Sequence, residues 1–197
     1  MNLSRIAAHF QRSQAALTAA AHDQALLKVL DEVARMITAA LQAGHKLLLA
    51  GNGGSAADAQ HLAAEFVGRY KIERPSFAAI ALTTDTSALT AIGNDYSFAQ
   101  VFARQLQGLA NSGDVFWGFS TSGTSPNVLA ALKVARQRGL NTVGFTGAKG
   151  RSMAEHCDLL FVAPSEDTAV IQQIHMVAGH AVCDAVEFAL TQPGHTG

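Results

Sequence analysis

The chain has 197 residues, a formal net charge of −1, 15% charged residues and 49% hydrophobic ones. This length fits one domain, and the balanced charge argues against an extended basic surface for nucleic acid. We therefore predict a single domain over residues 1–197 that binds no nucleic acid. The two cysteines, Cys157 and Cys183, cannot define a disulfide framework in a domain of this size, and both are expected to be reduced.

Two amphipathic helices are predicted within residues 1–43. Apolar side chains repeat at helical spacing, first at Leu3, Ile6, Ala7 and Phe10 and then at Leu26, Leu30, Val33, Ile37 and Leu41. Charged residues such as Arg5 and Arg12 interrupt the first helix, so it has no apolar stretch of signal-peptide or membrane-spanning length. We therefore expect no membrane partner and a cytoplasmic location.

Strands and helices alternate through residues 44–192, the predicted α/β core with its long C-terminal helix. Short apolar runs predict strands at residues 45–50, 77–82, 114–119, 141–145 and 159–162. Helices are predicted over residues 55–69, 86–92, 97–110, 128–138 and 168–190. This alternation indicates a parallel sheet covered by helices on both faces. Such sheets bind ligands at the carboxyl ends of their strands, so the loops that follow the strands form the candidate site.

The loop after the first strand is rich in glycine. Residues 51–56 read G-N-G-G-S-A, and Ser55 is predicted to cap the helix that follows. The same letters satisfy the dinucleotide-binding pattern G-x-G-x-x-[GA], with Asp85 as the candidate ribose ligand. We disfavour this alternative, because Asp85 lies well beyond the usual separation of about twenty residues.

The loop after the third strand concentrates hydroxyl groups. Residues 120–125 read S-T-S-G-T-S, and Pro126 begins the next helix. Hydroxyls and backbone N–H groups at a helix N-terminus can hold a phosphate monoester without a lysine. A flexible turn that merely caps the helix is an equally good interpretation of this loop taken alone.

Two helices carry polar side chains at helical spacing. His61 and Glu65 share one face of the third helix, where Arg69 continues the ridge, and Gln172 and His180 lie on one ridge of the last helix. An imidazole and a carboxylate at this spacing can reach one metal ion. The alternatives are a surface ion pair for the first two residues, and a buried imidazole or a solvent-facing amide for the last two.

Four segments become recognisable when they are taken together: G-N-G-G-S-A-A-D-A-Q-H-L-A-A-E-F-V-G-R-Y, A-I-G-N-D-Y, F-S-T-S-G-T-S-P-N-V and I-Q-Q-I-H-M-V-A-G-H. They resemble the bacterial phosphoheptose isomerases of the sugar isomerase (SIS) domain family, over essentially the whole chain. The resemblance implies a three-layer α/β/α sandwich with a five-stranded parallel, flavodoxin-like sheet, preceded by the N-terminal helix pair. It also implies a homotetramer with one divalent metal ion, usually zinc, in each subunit.

The resemblance further assigns roles to individual residues. The implied metal ligands are His61, Glu65, Gln172 and His180. Phosphate is expected at Ser120, Thr121, Ser122 and Ser125, and the sugar among Asn52, Gly53, Gly54, Ser55, Asn94 and Asp95. We add to these substrate contacts Glu65, Arg69, Asp85 and Gln172. Some relatives carry an aspartate where this chain has Ala169.

The implied activity converts sedoheptulose 7-phosphate to D-glycero-D-manno-heptose 7-phosphate through a metal-stabilised enediol, the first step of ADP- or GDP-heptose biosynthesis. Moving a proton between carbons beside a carbonyl requires a base and an electrophile. We assign Glu65 as the base, His180 as the partner acid and the metal as the electrophile. The alternative function is a non-catalytic relative, either a sugar-phosphate-binding regulator or an adaptor for a replication initiator. Such relatives tend to lack the glutamate and the final histidine, which favours the enzyme here.

Overall fold

Helices and strands alternate along the computed structural model, which describes residues 3–192. The helices are α1 (Leu3–His22), α2 (Gln24–Gln42), α3 (Gly54–Val67), α4 (Thr86–Asp95), α5 (Val101–Leu109), α6 (Pro126–Gln137) and α7 (Thr168–Thr191). The strands are β1 (Leu47–Ala50), β2 (Ala79–Ala81), β3 (Val115–Phe119), β4 (Asn141–Gly147) and β5 (Leu159–Ala163). Short 3₁₀ segments occupy Phe98–Gln100 and Ala148–His156. The remaining terminal residues of the predicted domain lie outside the described range.

The five strands form one parallel sheet in the order β2-β1-β3-β4-β5. This is the flavodoxin-like order. Successive side chains of β1 point to opposite faces, so that Leu47 and Leu49 pack in one core while Leu48 and Ala50 pack in the other. The first core also takes in α1, α2, α3 and α7, and the second takes in α5 and α6. The predicted three-layer α/β/α sandwich is confirmed.

One local prediction was wrong, and one element was not predicted. Ser55 does not cap α3, because the helix already begins at Gly54 and Gly53 is the capping residue, with φ +56° and ψ −120°. A positive φ is easy only for glycine, so the glycine turn sets the start of this helix and Ser55 is buried in its first turn. The 3₁₀ segment Ala148–His156 was not predicted, since it lacks an amphipathic repeat.

The N-terminal helix pair packs on the face of the sheet that carries α7. Asp23 separates the two helices and caps α2, because its carboxylate accepts hydrogen bonds from the backbone N–H groups of Ala25 and Leu26. The side chains of α2 that are buried in the core are Val33, Ala34, Ile37 and Ala40. Among the helices of residues 3–192, none combines the length and the apolar character needed to cross a lipid bilayer.

A buried carboxylate joins the starts of two neighbouring strands, β1 and β3. Asp114 is 1% exposed; its Oδ1 accepts a hydrogen bond from the backbone N–H of Lys46 at 3.0 Å, and its Oδ2 lies 2.6 Å from the Lys46 ammonium. Asn111 donates its backbone N–H to Oδ2 at 2.8 Å. Burial alone would raise the pKa of Asp114, but the hydrogen bonds from Asn111 and Lys46 outweigh burial and hold this pKa below its ordinary 3.8. The interaction fixes β3 beside β1.

We predict that Asp114→Asn lowers the free energy of unfolding by about 2–3 kcal/mol at pH 7, because charged hydrogen bonds to a buried group are lost. The pKa of Asp114 is lower in the folded than in the unfolded chain. Its contribution is therefore present above the unfolded value near 3.8 and disappears as the pH falls through the folded value. Urea unfolding of both proteins across this pH range measures the difference, which should shrink in acid. A difference independent of pH would contradict the assignment.

Candidate active site

A cleft of about 270 Å³ opens at the carboxyl ends of β1 and β3. These neighbouring strands lead to opposite faces of the sheet, β1 to α3 and β3 to α6. This arrangement is the topological switch point at which open α/β sheets bind ligands. The cleft is lined by Asn52, Gly53, Gly54, Ser55, Phe119, Ser120, Thr121, Ser125, Thr168 and Gln172. The structure therefore brings the two loops chosen from the sequence together.

Asn52 links the glycine loop to the far side of the cleft. Its side-chain amide exchanges two hydrogen bonds with that of Asn127 in the first turn of α6, at 2.9 and 2.8 Å. Asn127 is 1% exposed, so this pairing satisfies polar atoms that burial would otherwise leave unpaired. The loop itself turns tightly, because a Cβ on Gly51 would lie 2.6 Å from the carbonyl oxygen of Ser55. Asn52 is thus held at the switch point by α6.

The hydroxyl-rich loop closes on itself around the start of α6. The Oγ atoms of Ser120 and Ser125 lie 2.8 Å apart, and those of Ser120 and Ser122 lie 3.5 Å apart. Gly123 has φ +70°, which turns the chain back toward Pro126, the first residue of α6. The side chain of Ser125 does not cap the helix. Its hydroxyl therefore stays with the loop, beside the N-terminal N–H groups that attract anions.

Three ionisable side chains meet where α3 contacts α7. His61 Nε2 lies 3.2 Å from Glu65 Oε1 on the same helix and 2.9 Å from His180 Nε2 across the interface. One ligand atom from each of the three residues lies within 4.8 Å of the others. The side chain of His61 is 48% exposed and that of Glu65 is 20% exposed. A small ion or molecule can therefore reach the cluster.

The donor atoms of this cluster suit a zinc ion. Imidazole nitrogen and carboxylate oxygen are ordinary zinc ligands, and two donors on one tetrahedral zinc ion lie about 3.3 Å apart. The two observed separations from His61 Nε2, 2.9 and 3.2 Å, are close to that value. The arrangement can also move protons, because it combines a carboxylate with two imidazoles.

Gln172, the fourth predicted ligand, contacts the cleft. A Cβ on Gly54 would lie 2.6 Å from the amide atoms of Gln172, which therefore rests against the first turn of α3. Gln172 precedes His180 by just over two turns of α7, an axial separation of about 12 Å. Its role as a metal ligand remains a prediction.

Six predicted substrate residues lie outside the cleft: Glu65 belongs to the cluster with His61 and His180, Ser122 lines a neighbouring pocket with Thr121 and Lys149, and four others lie farther along the chain. Of residues 3–192, those that line the cleft do not include Arg69, Asp85, Asn94 or Asp95. Arg69 is exposed, with Nε 3.5 Å from Glu73 Oε2. Asp85 caps α4 by accepting the backbone N–H of Ala88 at 2.9 Å. Asn94 donates to the carboxylate of Asp95 at 2.8 Å on the exposed end of α4. Their substrate contacts remain predictions.

Sequence reasoning missed three polar residues at this site. Thr168 lines the cleft and Asn127 holds Asn52 there, although only the position of Asn127 after Pro126 could have suggested a role. Asp58 lies one turn before His61 on α3, is 8% exposed and has a buried oxygen with no hydrogen-bond partner among the described residues. Burial raises the pKa of Asp58 to about 6, against a smaller opposing influence from His61.

Comparison with known proteins gives a consistent result. Family models described as SIS domain match residues 9–147 and 108–191. A phosphoheptose isomerase from Bradyrhizobium sp. strain BTAi1 is 63% identical over 95% of this chain and 94% of its own length. One from Burkholderia pseudomallei strain 1710b is 54% identical over 93% and 91%.

Solved structures agree with these sequence matches. A phosphoheptose isomerase from Neisseria gonorrhoeae superposes with a TM-score of 0.88 at 43% identity, covering 94% of this chain and 98% of that one. One from Francisella tularensis gives a TM-score of 0.91 at 33% identity, covering 95% and 100%. With a family match over more than half of its length, the chain belongs to the SIS domain family and falls among its phosphoheptose isomerases.

Proposed function

We propose that this chain is an isomerase that converts sedoheptulose 7-phosphate to D-glycero-D-manno-heptose 7-phosphate. The observation that carries the proposal is the contact between α3 and α7, which brings His61, Glu65 and His180 together beside a hydroxyl-lined cleft. Relatives at 54–63% identity are phosphoheptose isomerases, which supports the same reaction. The product would then enter ADP- or GDP-heptose biosynthesis and supply lipopolysaccharide precursors.

The phosphate group is proposed to bind Ser120, Thr121 and Ser125 in the cleft and Ser122 beside it. Of the described residues that line the cleft, none is a lysine or an arginine. Hydroxyl and backbone N–H donors at the start of α6 would therefore balance the phosphate charge. The sugar would extend toward Asn52, the glycine loop and Gln172. Arg69, Asp85, Asn94 and Asp95 remain proposed contacts at its periphery.

Zinc is the proposed cofactor, with one ion in each subunit. His61, Glu65 and His180 would hold it, with Gln172 as the fourth proposed ligand. Bound there, zinc supplies a Lewis acid that polarises the oxygen atoms next to the reacting carbons. The support for zinc is the two-imidazole, one-carboxylate composition of the cluster.

Glu65 is proposed to move the carbon-bound proton. Its carboxylate would take the proton from C1 of the ketose and return it to C2, through an enediol, while His180 passes a proton between the two oxygens. A carboxylate that binds a metal is a weaker base. Glu65 is therefore proposed to bind the metal through Oε1, which lies 3.2 Å from His61 Nε2, and to accept the proton on Oε2.

A cytoplasmic homotetramer of single SIS domains is the proposed assembly, each domain spanning residues 1–197. An apolar groove of about 280 Å³ between α1, α2 and α7 supports subunit contacts, as do Val177 and Phe188, which are 53% and 60% exposed.

Both cysteines are buried free thiols, which suits a reducing compartment. A regulator would need the anion cleft but not the cluster, and a protein-binding adaptor would need neither, so the presence of both favours the enzyme.

Chelation of the metal is expected to abolish isomerisation of sedoheptulose 7-phosphate, and added zinc is expected to restore it, because the Lewis acid is lost and then returned. Formation of the aldose phosphate measures the activity. Affinity for inorganic phosphate is the control and should survive chelation, since the cleft has its own donors. Full turnover without metal would contradict the zinc proposal. Phosphate binding without turnover by zinc-loaded protein would instead favour the regulator.

Glu65→Gln and His180→Gln are each expected to slow turnover by at least about 10²-fold, because each removes a proton-transfer group. In deuterated water the wild-type protein should incorporate solvent deuterium at C2 of the product, which mass spectrometry detects. Glu32→Gln is the matched control, since Glu32 is a surface carboxylate that pairs with exposed Lys28 on α2. Turnover near the wild-type rate in either variant would remove that residue from the mechanism.

Gly54→Ala is expected to lower kcat/KM by about 10- to 100-fold, because the new methyl group displaces the Gln172 amide from the cleft. Stability should be unchanged or slightly higher, since Gly54 lies in the first turn of α3 without a positive φ. Gly108→Ala is the control, because a Cβ there meets no atom within 4 Å. Equal kinetics of the two variants would show that Gln172 needs no fixed position.

A further inference from the structure

A buried ion pair joins the loop after α3 to α7. Arg74 Nε lies 2.9 Å from Glu187 Oε1, and both side chains are 3% exposed. Arginine and glutamate are almost never buried unless they are paired, and a buried pair is stable only when its remaining polar atoms are satisfied. Here both side chains have further partners.

Glu187 accepts hydrogen bonds from the backbone of the loop that follows α3. Its Oε1 accepts the N–H of Tyr70 at 2.8 Å, and its Oε2 accepts those of Lys71 and Ile72 at 2.7 and 2.9 Å. Burial alone would raise the pKa of Glu187, but the hydrogen bonds from Tyr70, Ile72, Lys71 and Arg74 outweigh it and hold the pKa below its usual range. The carboxylate therefore stays charged and fixes three consecutive residues against α7.

Arg74 reaches the end of α3 that carries Glu65. Its Nη2 donates to the carbonyl of Glu65 at 2.8 Å, and its Nη1 donates to those of Phe66 and Gly68 at 3.0 and 3.3 Å. The last carbonyls of a helix have no partners within the helix, so the guanidinium caps this terminus. It also lies 3.9 Å from the ring centroid of Phe77. The backbone position of Glu65 is thereby tied to Glu187.

The same loop touches the other side of the cluster. Tyr70 donates its backbone N–H to Glu187, and its ring centroid lies 5.5 Å from the ring centroid of His180. His180 and Glu187 are themselves about two turns apart on α7, an axial separation of about 10 Å. The ion pair thus connects both helices that supply the cluster, without touching it.

We infer that Arg74 and Glu187 are positioning residues that hold Glu65 and His180 at the separation one metal ion requires. This inference rests on the proposed function for the identity of the metal. The simpler explanation is that the pair only stabilises the fold. The positioning role and the purely structural role predict different results. A general loss of stability would weaken zinc binding at the cluster and phosphate binding in the cleft alike, whereas loss of positioning would weaken zinc binding alone.

Glu187→Gln tests the inference, and Asp184→Asn is its matched control. Asp184 lies one turn earlier on α7 and binds Lys71 of the same loop at 2.9 Å, but this pair is exposed. Three quantities are measured on full-length protein: zinc affinity by competition with a chromophoric chelator, inorganic phosphate affinity by equilibrium dialysis, and ring ¹⁵N shifts of His61 and His180 in metal-free protein. Circular dichroism establishes that each variant is folded.

The expected result for Glu187→Gln is a loss of zinc affinity of at least about 10-fold, as for other groups that orient metal ligands. The two histidine ring shifts should move, while phosphate affinity changes by no more than about twofold, because the proposed phosphate donors lie on the loop of residues 120–125 rather than on α3 or α7. Asp184→Asn should leave all three quantities unchanged. The inference is overturned if zinc affinity and ring shifts of Glu187→Gln match the wild type, or if phosphate affinity falls as much as zinc affinity.

A second variant covers the case in which Glu187→Gln does not fold. Arg74→Lys keeps a cation beside Glu187 but removes the donor to the Glu65 carbonyl, so it should weaken zinc binding with a smaller loss of stability. Unchanged zinc affinity in a folded Arg74→Lys protein would also overturn the inference. Failure of the proposed function is a separate outcome: wild-type protein would then bind zinc and show the ring-shift response without isomerising sedoheptulose 7-phosphate.

Discussion

The close approach of α3 and α7 is the constraint on which the candidate site depends. An added Cβ on Gly179 of α7 would lie 2.6 Å from Cδ1 of Leu62 on α3. An added Cβ on Gly54 of α3 would lie equally close, 2.6 Å, to the amide atoms of Gln172 on α7. A larger side chain at either glycine would push the helices apart or displace the side chain opposite. If the helices moved apart, His61 and His180 could no longer meet at 2.9 Å. Residues without functional groups therefore set the distances on which the chemistry relies.

The fold could be predicted because its elements follow from local patterns. Strands such as Val115–Phe119 are buried on both faces and are therefore continuously apolar, and the alternation with helices then restricts the topology. The start of α3 could not be predicted from side chains. Ser55 is the better cap by residue type, but the turn at Gly53 demands a backbone conformation that overrides this preference.

The residues alone predict the parts of the site that lie within one helix or one loop, but not how these parts come together. His61 and Glu65 follow from their helical spacing, whereas their contact with His180 arises from tertiary packing across 119 residues of sequence separation. The expectation that His180 joins His61 and Glu65 came from the family resemblance. Asn127 and Glu187 were missed for the same reason, because an isolated polar residue on a helix gives no sign of burial until its distant partner is placed.

The chain separates charges that stay fixed from the groups that are proposed to exchange protons. Asp114 and Glu187 are buried, fully hydrogen-bonded and held below their usual pKa, so they remain charged and keep strands and helices in register. His175 is fixed in the opposite way: burial lowers its pKa to about 4, so a neutral ring contacts the carbonyl of Thr146 at 3.1 Å. Glu65 and His180 differ from all three, because they are partly exposed and contact groups that can themselves take up or release protons. A group enclosed by permanent partners can orient its neighbours but cannot pass protons on, so of these five residues the partly exposed pair fits the proposed proton transfer.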